Sequence, residues 1–197
     1  MAAVPRPAEI PTLDVFLARL AEGSPTPGGG AAVALTVSMA AALTSMVARV
    51  TLKYAAVDRE LDDVAVAADS IREKALAGVF ADARAFTDVV AARRAGGDVQ
   101  AALMRATEAP LGIARLAREI LDLVATLSPR ARPSAASDLV VGAGLAATAV
   151  RGAARTARAN LVDIADRSWA TRVDTELVRL VDDAAALERR ACEEQRA

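Results

Sequence analysis

Ser24 to Ala48 reads S-P-T-P-G-G-G-A-A-V-A-L-T-V-S-M-A-A-A-L-T-S-M-V-A, and no charged side chain appears before Arg49. Pro25 and Pro27 stiffen the approach, and Gly28, Gly29 and Gly30 strip the backbone of side-chain bulk. The residues after them are Ala, Val, Leu, Met, Ser and Thr, a composition that predicts a buried helix from about Gly30 to about Lys53. A glycine-rich loop feeding a helix N-terminus offers unpaired N–H groups and a positive dipole end to an anion or a closely approaching ligand. A tight helix start that needs glycine only for space is the other reading. The same stretch has the length of a membrane span. Its first seven residues are loop-like, though, and Thr36, Ser38, Thr44 and Ser45 interrupt an alanine-dominated remainder with weak affinity for lipid. No second span is read after it, so the expectation is a buried helix of a protein with no membrane partner.

Working outward, every other segment also reads as a helix. Leu13, Phe16, Leu17 and Leu20 have i, i+3, i+4, i+7 spacing, predicting an amphipathic helix over Thr12 to Glu22 with Thr12 as N-cap. A long helix is expected from Asp58 to Arg94, with one broad apolar face including Leu61, Val64, Ile71, Ala75, Val79, Ala83, Phe86 and Val90. Gly96 and Gly97 end it, and Asp98 caps a helix to Leu127 with a break or kink at Pro110. Ser128 to Pro133 is a loop. Ser137 caps a Gly- and Ala-rich helix to about Asp166, and a last helix runs from Thr171 to Glu194. The expected architecture is all-α, one antiparallel bundle of about six helices in a single domain over residues 1–197.

Composition narrows the chemistry. The chain has 197 residues, 54% hydrophobic but only 3% aromatic, so its core is built from Ala, Val and Leu, side chains that suit closely packed helices. A net charge of -1 without a basic cluster argues against a nucleic-acid partner. Cys192 is the only cysteine and histidine is absent, which leaves no disulfide framework and makes a zinc site a poor expectation. Acid–base work would fall to Asp, Glu, Lys, Tyr or Cys. The polar, proline-dotted start (Pro5, Pro7, Pro11) does not read as a secretory signal, and a reducing cytoplasm is the expected compartment.

Asp82 falls in line with Val64, Ile71, Ala75 and Val89 at about 100° per residue, so a carboxylate interrupts the apolar stripe. Desolvation there would push its pKa upward, toward a value useful near neutrality. A buried salt bridge to an arginine is the alternative from periodicity alone. Asp88 falls with Asp63 and Arg84 on the solvated side. Lys53 is one of two lysines among 24 basic residues, and it suits either a compact ammonium in a site or a cation complementing a helix C-terminus. Asp138 belongs in a helix's first turn, and Asn160 could serve a ligand or a helix-to-helix hydrogen bond.

P-T-P-G-G-G at Pro25–Gly30, S-M-V-A-R-V-T at Ser45–Thr51, Lys53-Tyr54, D-A-R-A-F at Asp82–Phe86, Ala109-Pro110-Leu111, Ser137-Asp138, Arg151-Gly152-Ala153 and Asn160-Leu161 occur in this order over nearly the whole chain. With them the chain resembles the cyclodeaminase/cyclohydrolase family, which includes the C-terminal domain of formiminotransferase-cyclodeaminase and stand-alone methenyltetrahydrofolate cyclohydrolases. It departs from the family pattern where Arg93–Gly97 replaces a common Pro-Lys, where Thr156 replaces the first Asn of N-V-x-I-N-L, and where the Gly-Asn typical before the Ser137-Asp138 loop is missing.

The resemblance implies one-carbon chemistry on a reduced folate. The reaction would be hydrolysis of 5,10-methenyltetrahydrofolate to 10-formyltetrahydrofolate, or ammonia-releasing closure of 5-formiminotetrahydrofolate. A binding protein of the same fold that has lost catalysis is a further alternative. Asp82 would shuttle the proton, helped by Lys53, while Pro27, Gly28, Gly29, Gly30, Asp138 and Asn160 would hold the substrate. No cofactor or metal is implied, and small-residue helices in a short bundle lead us to expect a homodimer.

Overall fold

Apart from two short 3-10 turns, six helices account for the regular structure of the computed structural model, which describes residues 11–54 and 58–194. The early prolines Pro5 and Pro7 lie outside that range. The helices are α1 (Leu13–Ala21), α2 (Gly29–Leu52), α3 (Arg59–Ala95), α4 (Val99–Leu127), α5 (Ala136–Leu161) and α6 (Arg167–Glu194). No strand occurs among the described residues. The all-α expectation holds, and so does the number of helices.

Capping explains the boundaries that were anticipated well. The Asp58 carboxylate accepts from the N–H groups of Glu60 and Leu61 and starts α3. Gly96, at φ 69°, ends it in the left-handed region that glycine enters freely. Asp98 accepts from Ala101 N–H and starts α4. Short connections make chain neighbours antiparallel, and α2, α3, α4 and α5 close into a ring because α5 returns against α2. α6 braces α4 and α5 from outside.

Several expectations are corrected. Pro110 does not break α4; it lies buried inside one continuous helix. α5 starts at Ala136, with Ala135 rather than Ser137 at its N-cap, because Pro133 sets up a 3-10 turn that runs straight into the helix. α5 ends at Leu161, and α6 begins at Arg167 because Asp166 accepts from Trp169 N–H and Ser168 Oγ. In α1 only Phe16 is buried, while Leu13 and Leu17 are 59% and 51% exposed. Thr12 stands at the N-cap position of α1, but its hydroxyl serves Asp14 instead of the backbone.

Within the ring α2 packs against α3 and α5 and, less extensively, α4. Its hydroxyls bond back to the preceding turn, Thr44 to Ala40 O and Thr51 to Val47 O, so buried oxygens go satisfied without charge. Ser38 and Ser45 also donate across to Arg72 O and Asp69 on α3. A Cβ on Gly152 would come within 2.7 Å of Val33 Cγ2, which shows how closely α5 lies on α2. By length and composition two stretches could cross a membrane, α2 with mean hydropathy 1.9 and Pro133–Leu161 with 1.3. The second corrects the expectation that no further span follows α2. Both are elements of the packed ring, and neighbouring helices bury about half of each.

One stability prediction follows from this packing. Gly112 lies inside α4 with open space where a Cβ would stand. Gly112→Ala is expected to stabilise the protein by about 0.5–1 kcal/mol by removing a flexible residue from a helix interior. A thermal melt should show a midpoint higher by roughly 1–4 °C, with activity unchanged.

Candidate functional site

The antiparallel ring brings one end of each of four helices together. The N-terminus of α2 meets the C-terminal part of α3, the first turns of α4 and the last turns of α5. Between them lies a cavity of about 360 Å³, within the roughly 300–1,000 Å³ range of small-ligand sites. Its polar wall includes Thr26, Gly28–Gly30, Asp82, Thr156 and Asn160. Phe86, Val89 and Leu103 form the apolar side, and Arg93 and Asp163 stand at the rim as an ion pair of 2.7 Å.

Asp82 is held by the helix that the glycines open. Ala31 N–H, in the first turn of α2, donates to its carboxylate. That approach requires Gly30. A Cβ there would stand under 3.0 Å from both carboxylate oxygens and from Cγ. Space at Gly30 is therefore used by the protein's own carboxylate, in a site where the loop had been expected to admit a ligand. Burial raises the Asp82 pKa above its ordinary 3.8, partly opposed by the Ala31 hydrogen bond. No ion pair to Asp82 forms among the described residues, so the buried-salt-bridge alternative is not what the structure shows. The result is a half-buried carboxyl that opens onto a cavity and keeps its proton to higher pH than usual. Such a group can give and take a proton. Asp88, in contrast, is exposed like Asp63 and Arg84.

Asn160 lines the same cavity, and its Nδ2 donates to Ala106 O at 2.9 Å, so the helix-to-helix bond is made. Thr156 lies one turn earlier and donates to Gly152 O. Two residues that depart from the family pattern, Thr156 and Arg93 (the first of the Arg93–Gly97 stretch), thus lie on the cavity wall.

Lys53 and Asp138 are elsewhere. Lys53 caps the C-terminus of α2, 23 residues beyond Gly30, which at 1.5 Å per residue is about 35 Å away. The expected partnership of Lys53 with Asp82 is therefore not made within one chain. Asp138 sits in the first turn of α5, at the opposite end of that helix from Asn160. The turn before α5 touches the Lys53 end of α2, where Arg132 N–H donates to Thr51 Oγ1 and the Arg132 guanidinium covers the Tyr54 ring at 4.3 Å. Two groups of singled-out residues thus occupy opposite ends of the bundle: Gly28–Gly30, Asp82 and Asn160 line the cavity at one of them, where the loop contributes Pro25 and Thr26 to the wall rather than the expected Pro27.

Phe86 was missed as a site residue. Assigned to the core by periodicity, it is 44% exposed and lines the cavity, because α3 is buried only as far as Val79 and its last turns overhang the site. The signal was present in the spacing: Asp82, Phe86, Val89 and Arg93 follow one face of the helix. Among the described residues, no three His, Cys, Asp or Glu side chains converge to hold a metal ion.

Comparisons with known proteins bear on the family and the fold. Residues 12–179 match the formiminotransferase-cyclodeaminase family profile. The chain is 35% identical to a methenyltetrahydrofolate cyclohydrolase of Methylorubrum extorquens, over 92% of this chain and 94% of that protein. It is 27% identical to the formimidoyltransferase-cyclodeaminase of Gallus gallus over 87% of its own length, and spans 34% of that longer protein. Among solved structures, a formiminotetrahydrofolate cyclodeaminase from Thermotoga maritima superposes with a TM-score of 0.89. That pair is 27% identical, and the match covers 94% of this chain and 96% of the other.

Proposed function

The chain belongs to the formiminotransferase-cyclodeaminase family, and from that we infer that it is an enzyme of folate one-carbon metabolism that hydrolyses 5,10-methenyltetrahydrofolate. The 35% identity with a cyclohydrolase over nearly all of both chains favours hydrolysis. Likeness to a structure named as a cyclodeaminase makes closure of formiminotetrahydrofolate the second reading. The observation that carries the catalytic proposal is Asp82, a half-buried carboxyl with raised pKa on the wall of a small-ligand cavity.

In this reading the pterin ring lies against Phe86, Val89 and Leu103, with its polar edge toward Asn160. Water bonds to the carbon that bridges N5 and N10, and its proton passes to the Asp82 carboxylate. The resulting tetrahedral carbon then expels N5. Asp82 returns its proton to N5 as the hydroxyl loses its own, leaving the N10-formyl product and one proton released to solvent. Water, a carboxyl group and a shaped cavity supply every atom transferred, so the mechanism we propose uses neither metal nor redox cofactor.

We assign the enzyme to the cytoplasm, consistent with its single cysteine, and expect enzyme-free membranes on fractionation. We also propose a homodimer. A stripe of α2 carrying Leu35, Met39, Ala42 and Met46 is uncharged and at least partly exposed. A monomer by light scattering at micromolar concentration would refute the dimer.

The functional test mixes the protein with 5,10-methenyltetrahydrofolate and, separately, with 5-formiminotetrahydrofolate, following the methenyl chromophore against enzyme-free controls. Enzyme-dependent loss in the first mixture is expected. A gain in the second mixture alone would make the protein a cyclodeaminase, and no change in either would overturn both readings.

A further inference from the structure

Pro110 and Asn160 act on one carbonyl from two helices. A proline inside a helix has no N–H to give the carbonyl four residues earlier, and its ring crowds that oxygen outward. Here the carbonyl is that of Ala106, and Asn160 Nδ2 reaches it from α5 at 2.9 Å. Ala106 and Asn160 both belong to the cavity wall that Asp82 shares. Asn160 is also the only asparagine in the chain.

Only the NH2 end of an amide can donate to a carbonyl, so this bond fixes which way the Asn160 side chain is turned. The opposite end, Oδ1, accepts no hydrogen bond from any described residue. We propose that Pro110 is a positioning residue: it frees the Ala106 carbonyl to anchor Asn160 Nδ2, so that Oδ1 is presented to the cavity as an acceptor for an N–H group of the ligand. On the folate reading, on which this inference rests, that donor is the amino or ring N–H edge of the pterin. Pro110 touches no ligand. It acts through the amide.

The consequences separate positioning from mere support of the helix. Pro110→Ala restores an N–H at position 110, and the Ala106 carbonyl regains its partner within α4. α4 should be no less regular, but the Asn160 amide is then free to turn. Binding of 5-formyltetrahydrofolate, a stable reduced folate, is measured by calorimetry, and KM and kcat are measured with methenyltetrahydrofolate. Pro110→Ala is expected to weaken binding and raise KM by about 2- to 10-fold, the worth of one hydrogen bond, with kcat little changed. Asn160→Leu should weaken binding at least as much. Adding Pro110→Ala to Asn160→Leu should then cost nothing more, because no amide remains to be positioned.

Equal additional losses from Pro110→Ala in the presence and absence of Asn160 would overturn the inference and assign Pro110 to packing alone. Unchanged KM and affinity in Pro110→Ala would overturn it too. Wild-type protein that neither binds nor turns over reduced folates would sink the folate reading and this inference with it. Binding that ignores Pro110→Ala sinks only the inference.

Discussion

Asp82→Asn is expected to lower methenyltetrahydrofolate turnover by about 100- to 10,000-fold, the usual worth of a well-placed acid–base group. The substitution preserves shape, and the amide oxygen can still accept from Ala31 N–H, the bond that holds the carboxylate in place. What is lost is the exchangeable proton. Folate affinity should therefore survive while kcat falls. Stability should change in a direction set by the raised pKa. Because burial keeps Asp82 protonated above 3.8 in the folded state, the wild-type fold loses stability as pH rises from 3.8 through the higher folded value. A neutral amide at this position carries no such cost. Melts should show the variant at least as stable as wild type near neutrality, with its relative advantage vanishing below 3.8. An Asp82→Asn enzyme with near-full kcat would remove Asp82 from the chemistry.

Gly30→Ala is the second large effect. The new methyl group would stand where the Asp82 carboxylate now sits, so the carboxylate must leave Ala31 N–H or α2 must shift. Overpacking of this kind costs about 1–3 kcal/mol, and activity should fall at least about tenfold with the displaced acid, since each 1.36 kcal/mol lost at the transition state is a factor of ten. Gly112→Ala, where space is open, is the matched control. Steady-state kinetics on the two alanine variants decides the point: full activity in Gly30→Ala would show that the carboxylate's seat on α2 is dispensable.

Much of this arrangement was legible in the residues. α3 and α4 are bounded by Asp58, Gly96 and Asp98, whose side chains or backbone make the capping bonds their types suggest. Asp82 stood out as a charge in an apolar stripe, and the structure gives it the desolvation that position implies. The start of α5 was not legible, because a proline-led 3-10 turn replaces a capping side chain. Phe86 was misplaced because periodicity identifies the face of a helix but not where its neighbours stop covering it. The separation of Lys53 from Asp82, on the other hand, follows from helix rise alone once Asp82 is seen against Gly30. Motif order along a chain does not show which ends of a bundle meet. Nor does it show that Pro110 leaves a carbonyl for Asn160, since that bond joins residues 54 positions apart.

If the Asp82 carboxylate exchanges the proton, its ionisation must appear in the pH dependence of kcat/KM. Wild-type enzyme and Asp82→Asn are compared with methenyltetrahydrofolate after subtraction of the enzyme-free rate. Wild-type kcat/KM is expected to rise through an ionisation above 3.8, as the carboxylate that takes the proton from water forms, and this rise is expected to be absent from the residual activity of Asp82→Asn. The same rise in both proteins would assign the proton transfer to a group other than Asp82.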